Sequence, residues 1–443
     1  MIDSGDTAWM MMSTALVMLM TPGLAFFYGG LVRGKNVLGT MMHSFIVIGL
    51  VSVLWVIVGY SLAFGGDVGG GFIGNLDYFG MKDVGQEPGP YAPTIPHLVY
   101  MVFQMTFAII TPALITGAFA ERAKFGPFLV FMALWSLVVY APIAHWVWGQ
   151  GGWLQDLWGG KALDFAGGTV VHINAGIAAL VAAVLYGRRL GYGREPMEPH
   201  NIPFVLLGAA LLWFGWFGFN AGSELAADGV AANAFVVTFV ATAAAMLTWT
   251  MLSWMMSGKP SAVGAAAGAV AGLVAITPAS GFVDTMPALA IGVGAGALCY
   301  GAVQLRIRMQ LDDSLDVVGV HGVGGAWGAF ATGIFAVATV GGFGGVIDGE
   351  PGQLARQLTG IGATMGYSFV VTFAILKLLD MTVGLRVSDE DEQLGVDVSE
   401  HGERGYVFDA GPGFVGIPDA SPSTAQNARQ VSTAPASSGG SGS

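Results

Sequence analysis

The chain has 443 residues, of which 54% are hydrophobic and only 10% charged, and its mean hydropathy is +0.66. A soluble domain carries about 25% charged residues, so this composition cannot cover a soluble surface and reads as an all-α polytopic membrane protein. The net charge of -12 says little about partners, because much of it falls in an acidic C-terminal stretch. The one cysteine, Cys299, leaves no disulfide framework or thiolate metal cluster.

A bilayer is spanned by about 20 apolar residues in a helix. Eleven such stretches are read, at roughly 8–32, 37–64, 96–120, 126–144, 167–187, 202–220, 231–256, 261–278, 286–305, 314–339 and 353–383. The first begins directly after the acidic string IDSGD, with no basic region of a cleavable signal peptide before it. With the N-terminus outside, the inner loops hold Arg33, Lys35, Arg122, Lys124, Arg188, Arg189, Arg194, Lys259, Arg306 and Arg308. The outer loops then hold only Lys82, Lys161 and Arg356. Cationic loops stay in the cytoplasm, which gives an N-out, C-in orientation. Many of the 69 glycines fall in small-residue runs such as Ala262–Ala275, the texture of closely packed membrane helices.

Two histidines stand alone in apolar, Gly-rich spans: His172 in GGTVVHINAGIAALVAAVLYG and His321 in DVVGVHGVGGAWGAFATGIF. An ionisable group in a membrane span is costly and marks a functional site by default. His172 lies in the fifth span and His321 in the tenth, and VVHINAG weakly resembles GVHGVGG. A five-plus-five inverted repeat with one extra helix would make them symmetry mates near the midplane. Two unrelated core histidines are the alternative.

Several further residues could carry chemistry. The loop HWVWGQGGWLQDLWGG holds Trp146, Trp148, Trp153 and Trp158. They read first as an interfacial aromatic belt, although an indole face is also the best neutral surface for a small cation. Phe103, Gln104 and Phe107 fall near the outer half of the third span, and Phe219, Asn220 and Ser223 end the sixth. Asp164 opens DFAGGTVVH, where it either binds a cation or caps the fifth span; the cap is preferred. There is no P-loop GxxxxGK[ST], and no mid-span carboxylate or arginine suited to a charged substrate. A bis-histidine haem would need polar anchors for its propionates, which these spans lack. No cofactor, metal or catalytic residue is expected, and the chain is not read as an enzyme.

Residues 1–385 are read as the transmembrane domain and 386–412 as a polar cytoplasmic tail that keeps enough Val, Leu, Tyr and Phe to dock. Residues 413–443 are read as a disordered tail closing on a linker scar, SSGGSGS.

Together these strings resemble the Amt/Mep/Rh ammonium transporter family, on the Amt side. The matching segments are GLAFFYGGLVRGKN (23–36), FQMTFAIITPALITGAFAER (103–122), DFAGGTVVHINAG (164–176), GWFGFNAGS (215–223), DVVGVHGVGG (316–325) and GLRV…GVDVSEHGERGY (384–406). The resemblance implies that Trp148, Phe107 and Ser223 recruit ammonium at an outer site, with Asp164 beside it. It implies that Phe107 and Phe219 close the pore below, and that His172 and His321 line the pore as a pair able to hold ammonia or relay a proton. It implies a homotrimer in the plasma or inner membrane, with one pore per subunit and a regulatory tail bound by PII-type signalling proteins. Val396 stands where relatives often have Leu in the tail. The alternatives are an ammonium sensor with the same pore, a haem enzyme built on the two histidines, and a carbon dioxide channel. A neutral linear gas gives Trp148 and Ser223 little purpose.

Overall fold

The computed structural model describes residues 1–407. Among these, nine helices are long and apolar enough to cross a membrane. They are α1 (Ser4–Leu31), α2 (Gly34–Phe64), α3 (His97–Ala118), α4 (Phe125–Trp148), α5 (Gly168–Tyr186), α6 (Ile202–Glu224), α7 (Gly229–Ser257), α9 (Thr285–Met309) and α11 (Gly352–Thr382). Two further apolar helices are shorter: α8 (Ala262–Ile276) and α10, over 318–335. Each of the eleven stretches read from the sequence therefore holds a helix. The anticipated disordered tail at 413–443 lies outside the described residues, as do the last residues of the 386–412 segment.

Packing follows the small residues. α1 lies along α6, and α5 crosses α10. At the second crossing the backbones nearly touch: a Cβ on Gly176 would sit 2.3 Å from the Gly322 amide nitrogen and 2.4 Å from its Cα. Glycine is required there because any side chain would force the two helices apart. Both crossing helices begin with a π-helical turn, Gly168–Ile173 in α5 and Val318–Val323 in α10. A π turn widens the helix by one residue and redirects its side chains, and such turns gather at functional sites. The two π turns carry His172 and His321.

One face bears the loop 149–167 and two small antiparallel hairpins, Asp67–Val68 with Ile73–Gly74 and Pro88–Gly89 with Ala92–Pro96. The opposite face bears the tail, with α12 (Asp389–Leu394) and α13 (Val396–His401). The tail is held by charge and by backbone bonds together. Arg386 pairs with Glu392 at 2.5 Å and also donates to the Arg188 carbonyl, while Glu392 accepts the Leu190 N–H. Lys35 donates to the carbonyls of Glu392 and Gln393, and Asp397 accepts the Gly39 N–H at 2.8 Å. Val396 is buried, with its side chain against Gly39. The smaller side chain at this position therefore still seats.

Beneath the tail, Glu121 lies between Arg33 (2.6 Å) and Arg189 (3.3 Å), and Arg189 also grips Asp312 at 2.8 Å. Burial pushes the Glu121 carboxyl up, but Arg189 and Arg33 together hold it below its ordinary value. Its stabilisation is present above the unfolded-state pKa and is lost as pH falls through the lower folded value.

Gly176→Val should displace α5 from α10. Overpacked buried sites cost about 1–3 kcal/mol or more, so the variant is expected to melt several degrees lower in detergent or to fail to accumulate. An unchanged melting temperature would show that the crossing is loose.

Candidate functional site

A wide vestibule of about 540 Å3 opens on the face carrying the loop 149–167. Its lining includes Trp148, Phe107, Ser223 and Asp164, which come from four separate parts of the chain. The indole N–H of Trp148 donates to the Asp164 carbonyl at 2.9 Å, which fixes the ring. Phe107 meets that indole edge-to-face, with centroids 5.9 Å apart. The Ser223 hydroxyl donates to the Phe219 carbonyl at 2.8 Å. Its proton is thus committed and its oxygen lone pairs are left to accept. One wall thus offers an aromatic surface and a hydroxyl acceptor, the complement of a small cation with N–H donors.

Asp164 does not offer its carboxylate to the vestibule freely. Oδ1 accepts the N–H groups of Gly167 (2.8 Å) and Gly168 (2.6 Å). Oδ2 accepts those of Thr169 (2.8 Å) and Val170 (3.2 Å), together with the Thr169 hydroxyl. This is a helix N-terminus saturated by one acid. Gly167 makes it possible by adopting φ of 115°, a conformation L side chains rarely take. The capping role weighed for Asp164 is what its geometry displays. Its charge still stands beside the Trp148 wall.

Below the vestibule, Phe107 and Phe219 stack with centroids 4.2 Å apart and planes at 28°. Both are buried. Beyond the pair lies a cavity of about 10 Å3, lined by His172, His321, Trp216, Phe219 and aliphatic side chains from α1, α3, α6 and α8. That is roughly the room one water needs. Nδ1 of His172 and Nδ1 of His321 are 3.2 Å apart, with the rings inclined at 29°. His172 Nε2 is buried with no hydrogen-bond partner among the described residues.

The Nδ1–Nδ1 contact restricts protonation, since one nitrogen must donate and the other accept. In the neutral pair, the ring donating from Nδ1 has a bare Nε2, and its partner has a protonated Nε2. The pair therefore presents one acceptor and one donor. Trp216 stacks on His172 at 5.3 Å and 21°, and its N–H is held by the Thr277 hydroxyl at 2.8 Å. Sequence reasoning passed over Trp216. Its spacing, three residues before Phe219 in GWFGFNAGS, places both rings on one helix face.

The fold and these two compartments describe a helical membrane protein in which an aromatic- and hydroxyl-walled vestibule is separated by a stacked phenylalanine pair from a small apolar cavity bearing two imidazoles. The chain belongs to the Ammonium Transporter Family, whose model matches residues 8–406. It is 50% identical over 408 residues to an ammonium transporter of Bacillus subtilis, covering 91% of this chain and 99% of that protein. It is 48% identical to ammonium transporter Amt1 of Archaeoglobus fulgidus, covering 92% of this chain and all of the relative. The crystal structure of Candida albicans Mep2 superposes with a TM-score of 0.82 at 38% identity, over 88% of this chain and 87% of that one. A structure titled "Sensor Amt Protein" superposes at 0.83 with 30% identity, over 90% of this chain and 98% of that one.

Asp164→Asn should leave N–H groups at the start of α5 without a partner. Each such loss costs about 1–3 kcal/mol. The variant is expected to lose thermal stability in detergent, whereas a carboxylate that serves only to attract cations would leave the melting temperature unchanged.

Proposed function

We propose that this protein is a channel-like ammonium transporter of the cell membrane, plasma or inner. It recruits the ammonium cation at Trp148, Phe107 and Ser223 under the field of Asp164. It strips a proton there, and passes ammonia between Phe107 and Phe219 into the passage lined by His172 and His321. The observation that carries this reading is the pairing of a cation-receptive vestibule with a cavity too small and too apolar for a hydrated ion.

Energetics favours deprotonation over passage of the intact cation. A bare ammonium-sized ion entering a medium of low dielectric costs tens of kcal/mol in the Born limit. An amine whose pKa lies roughly two units above neutral loses its proton for about 3 kcal/mol, at about 1.36 kcal/mol per unit. The histidine pair offers ammonia both an acceptor and a donor, and offers the released proton a path of its own. Separate passage of both would give net charge movement.

Eleven spans are part of this reading, with the N-terminus and vestibule outside and the tail in the cytoplasm. The cationic loops support the orientation. The match between α5 and α10, each with a π turn bearing a histidine, supports a five-plus-five inverted repeat with one additional helix. Assembly is read as a homotrimer with one pore per subunit. The tail is read as a regulatory dock for a PII-type signalling protein. A sensing role with the same pore is the second reading, favoured by the likeness to the structure titled "Sensor Amt Protein".

The test is current in proteoliposomes under ammonium and potassium gradients. The double variant His172→Ala, His321→Ala is expected to fold and assemble but to lose ammonium-coupled current, with any residual conduction less selective against potassium. Wild-type current and selectivity in that variant would make the histidines packing residues. Wild-type protein that carries no ammonium flux would instead favour sensing.

Truncation after Leu385 removes every tail contact described above while sparing α1–α11. It should change ammonium flux or abolish PII binding, with the transmembrane helices still folded. Unchanged flux together with unchanged PII binding would leave the tail without a regulatory role.

A further inference from the structure

The vestibule already contains an ammonium group. Lys161 and Phe343 both line it, and the Lys161 Nζ sits 4.2 Å from the centroid of the Phe343 ring. The two residues are far apart in sequence and meet only because the loop 149–167 and the segment after α10 fold over the same opening. Lys161 belongs to a firmly held strap. Its carbonyl accepts from Gln353 Nε2 at 2.9 Å, and two residues on, Leu163 bonds Gln357 through both its N–H and its carbonyl. The strap continues into Asp164, whose carbonyl holds the Trp148 indole. Lys161 is also the cation with which Glu224, another vestibule residue, interacts electrostatically. A primary ammonium on an aromatic face, with a carboxylate in range, copies the chemistry by which Trp148, Phe107 and Ser223 would receive the substrate.

We propose that Lys161 is a tethered competitor that sets the apparent affinity for ammonium. Its charge lowers the local concentration of incoming cations, and its ammonium covers the Phe343 face, a second aromatic surface on which ammonium could rest. The proposal rests on the reading of this vestibule as the point of ammonium entry. It makes Lys161 a specificity-determining residue that does not touch the pore. Two effects act in one direction: like charges repel across a vestibule narrower than or comparable to the screening length, and a freed aromatic face accepts a cation.

The experiment measures ammonium-evoked current in proteoliposomes against ammonium concentration, for the wild type, Lys161→Met and Lys161→Arg. Lys161→Met keeps the apolar stem of the side chain and removes the charge. It is expected to lower the half-saturating ammonium concentration by about three-fold or more at low ionic strength, with the maximal current unchanged, since charge in such clefts alters local ion concentrations by about 10-fold or more. Lys161→Arg keeps the charge and the ring contact and should stay close to the wild type. Adding a bulky impermeant salt such as N-methylglucamine chloride should shrink the difference between Lys161→Met and wild type, because screening removes the repulsion.

A change confined to the maximal current would make Lys161 a support for the strap and overturn the proposal. So would a half-saturating concentration that does not move. Should Lys161→Met assemble poorly, Lys161→Gln carries the same expectations. Wild-type protein without ammonium current would count against transport itself, and is thereby separable from failure of this inference.

Discussion

The approach of α5 to α10 is the constraint on which the site depends. The imidazole contact at 3.2 Å is available because Gly176 lets its backbone almost touch that of Gly322. The π turns then aim both rings into the same space. Neither device suffices alone. Closely packed helices without the π turns would bury the histidines in their own interface, and π turns on separated helices would leave the rings apart. The cost of placing polar rings in an apolar interior is offset by the bond they make to each other and by the Trp216 face stacked on one of them.

The two compartments divide the electrostatic labour. The vestibule collects polar and aromatic groups and is roomy. The cavity beyond Phe107 and Phe219 is small and almost wholly apolar. Charge can be stabilised on one side of the stacked pair and is heavily penalised on the other. At the far end a second charged layer begins, in which Glu121, Arg189 and Asp312 lie under the docked tail. The tail shares this layer through Arg386 and Glu392, so its placement is linked by direct bonds to the start of α2 and the end of α5.

Much of this was legible in the sequence. Long apolar runs gave the helices, since spans need length and hydropathy and little else. The lone histidines stood out because no cation shares their apolar segments and the nearest carboxylates, Asp164 and Asp316, lie toward the segment starts. α8 falls short of the other nine helices because it is apolar but only 15 residues long, and α10 because its glycines lengthen the run without adding hydropathy. The meeting of Lys161 with Phe343, the stacking of Trp216 on His172 and the five donors converging on Asp164 were not legible in detail. Each is a tertiary fact about residues whose local strings suggest belts, fillers or loop charges. Asp164 comes nearest to an exception, because an acid shortly before a helix start is a capping signal in its own right.

The bond between the two Nδ1 atoms also has a consequence for direction. Suppose a proton enters at the bare Nε2 of one ring. That ring passes its Nδ1 proton across, and the second ring releases its own from Nε2. The pair is now the mirror of its starting arrangement, with the entry nitrogen occupied and the exit nitrogen bare. It is then ready to carry a proton backwards but not forwards. Every further forward passage would have to wait for a ring to turn over or for the protons to rearrange. If protons pass through the pair as proposed, it would behave as a turnstile with memory, and its resetting time would place a ceiling on proton flow that widening the vestibule could not lift.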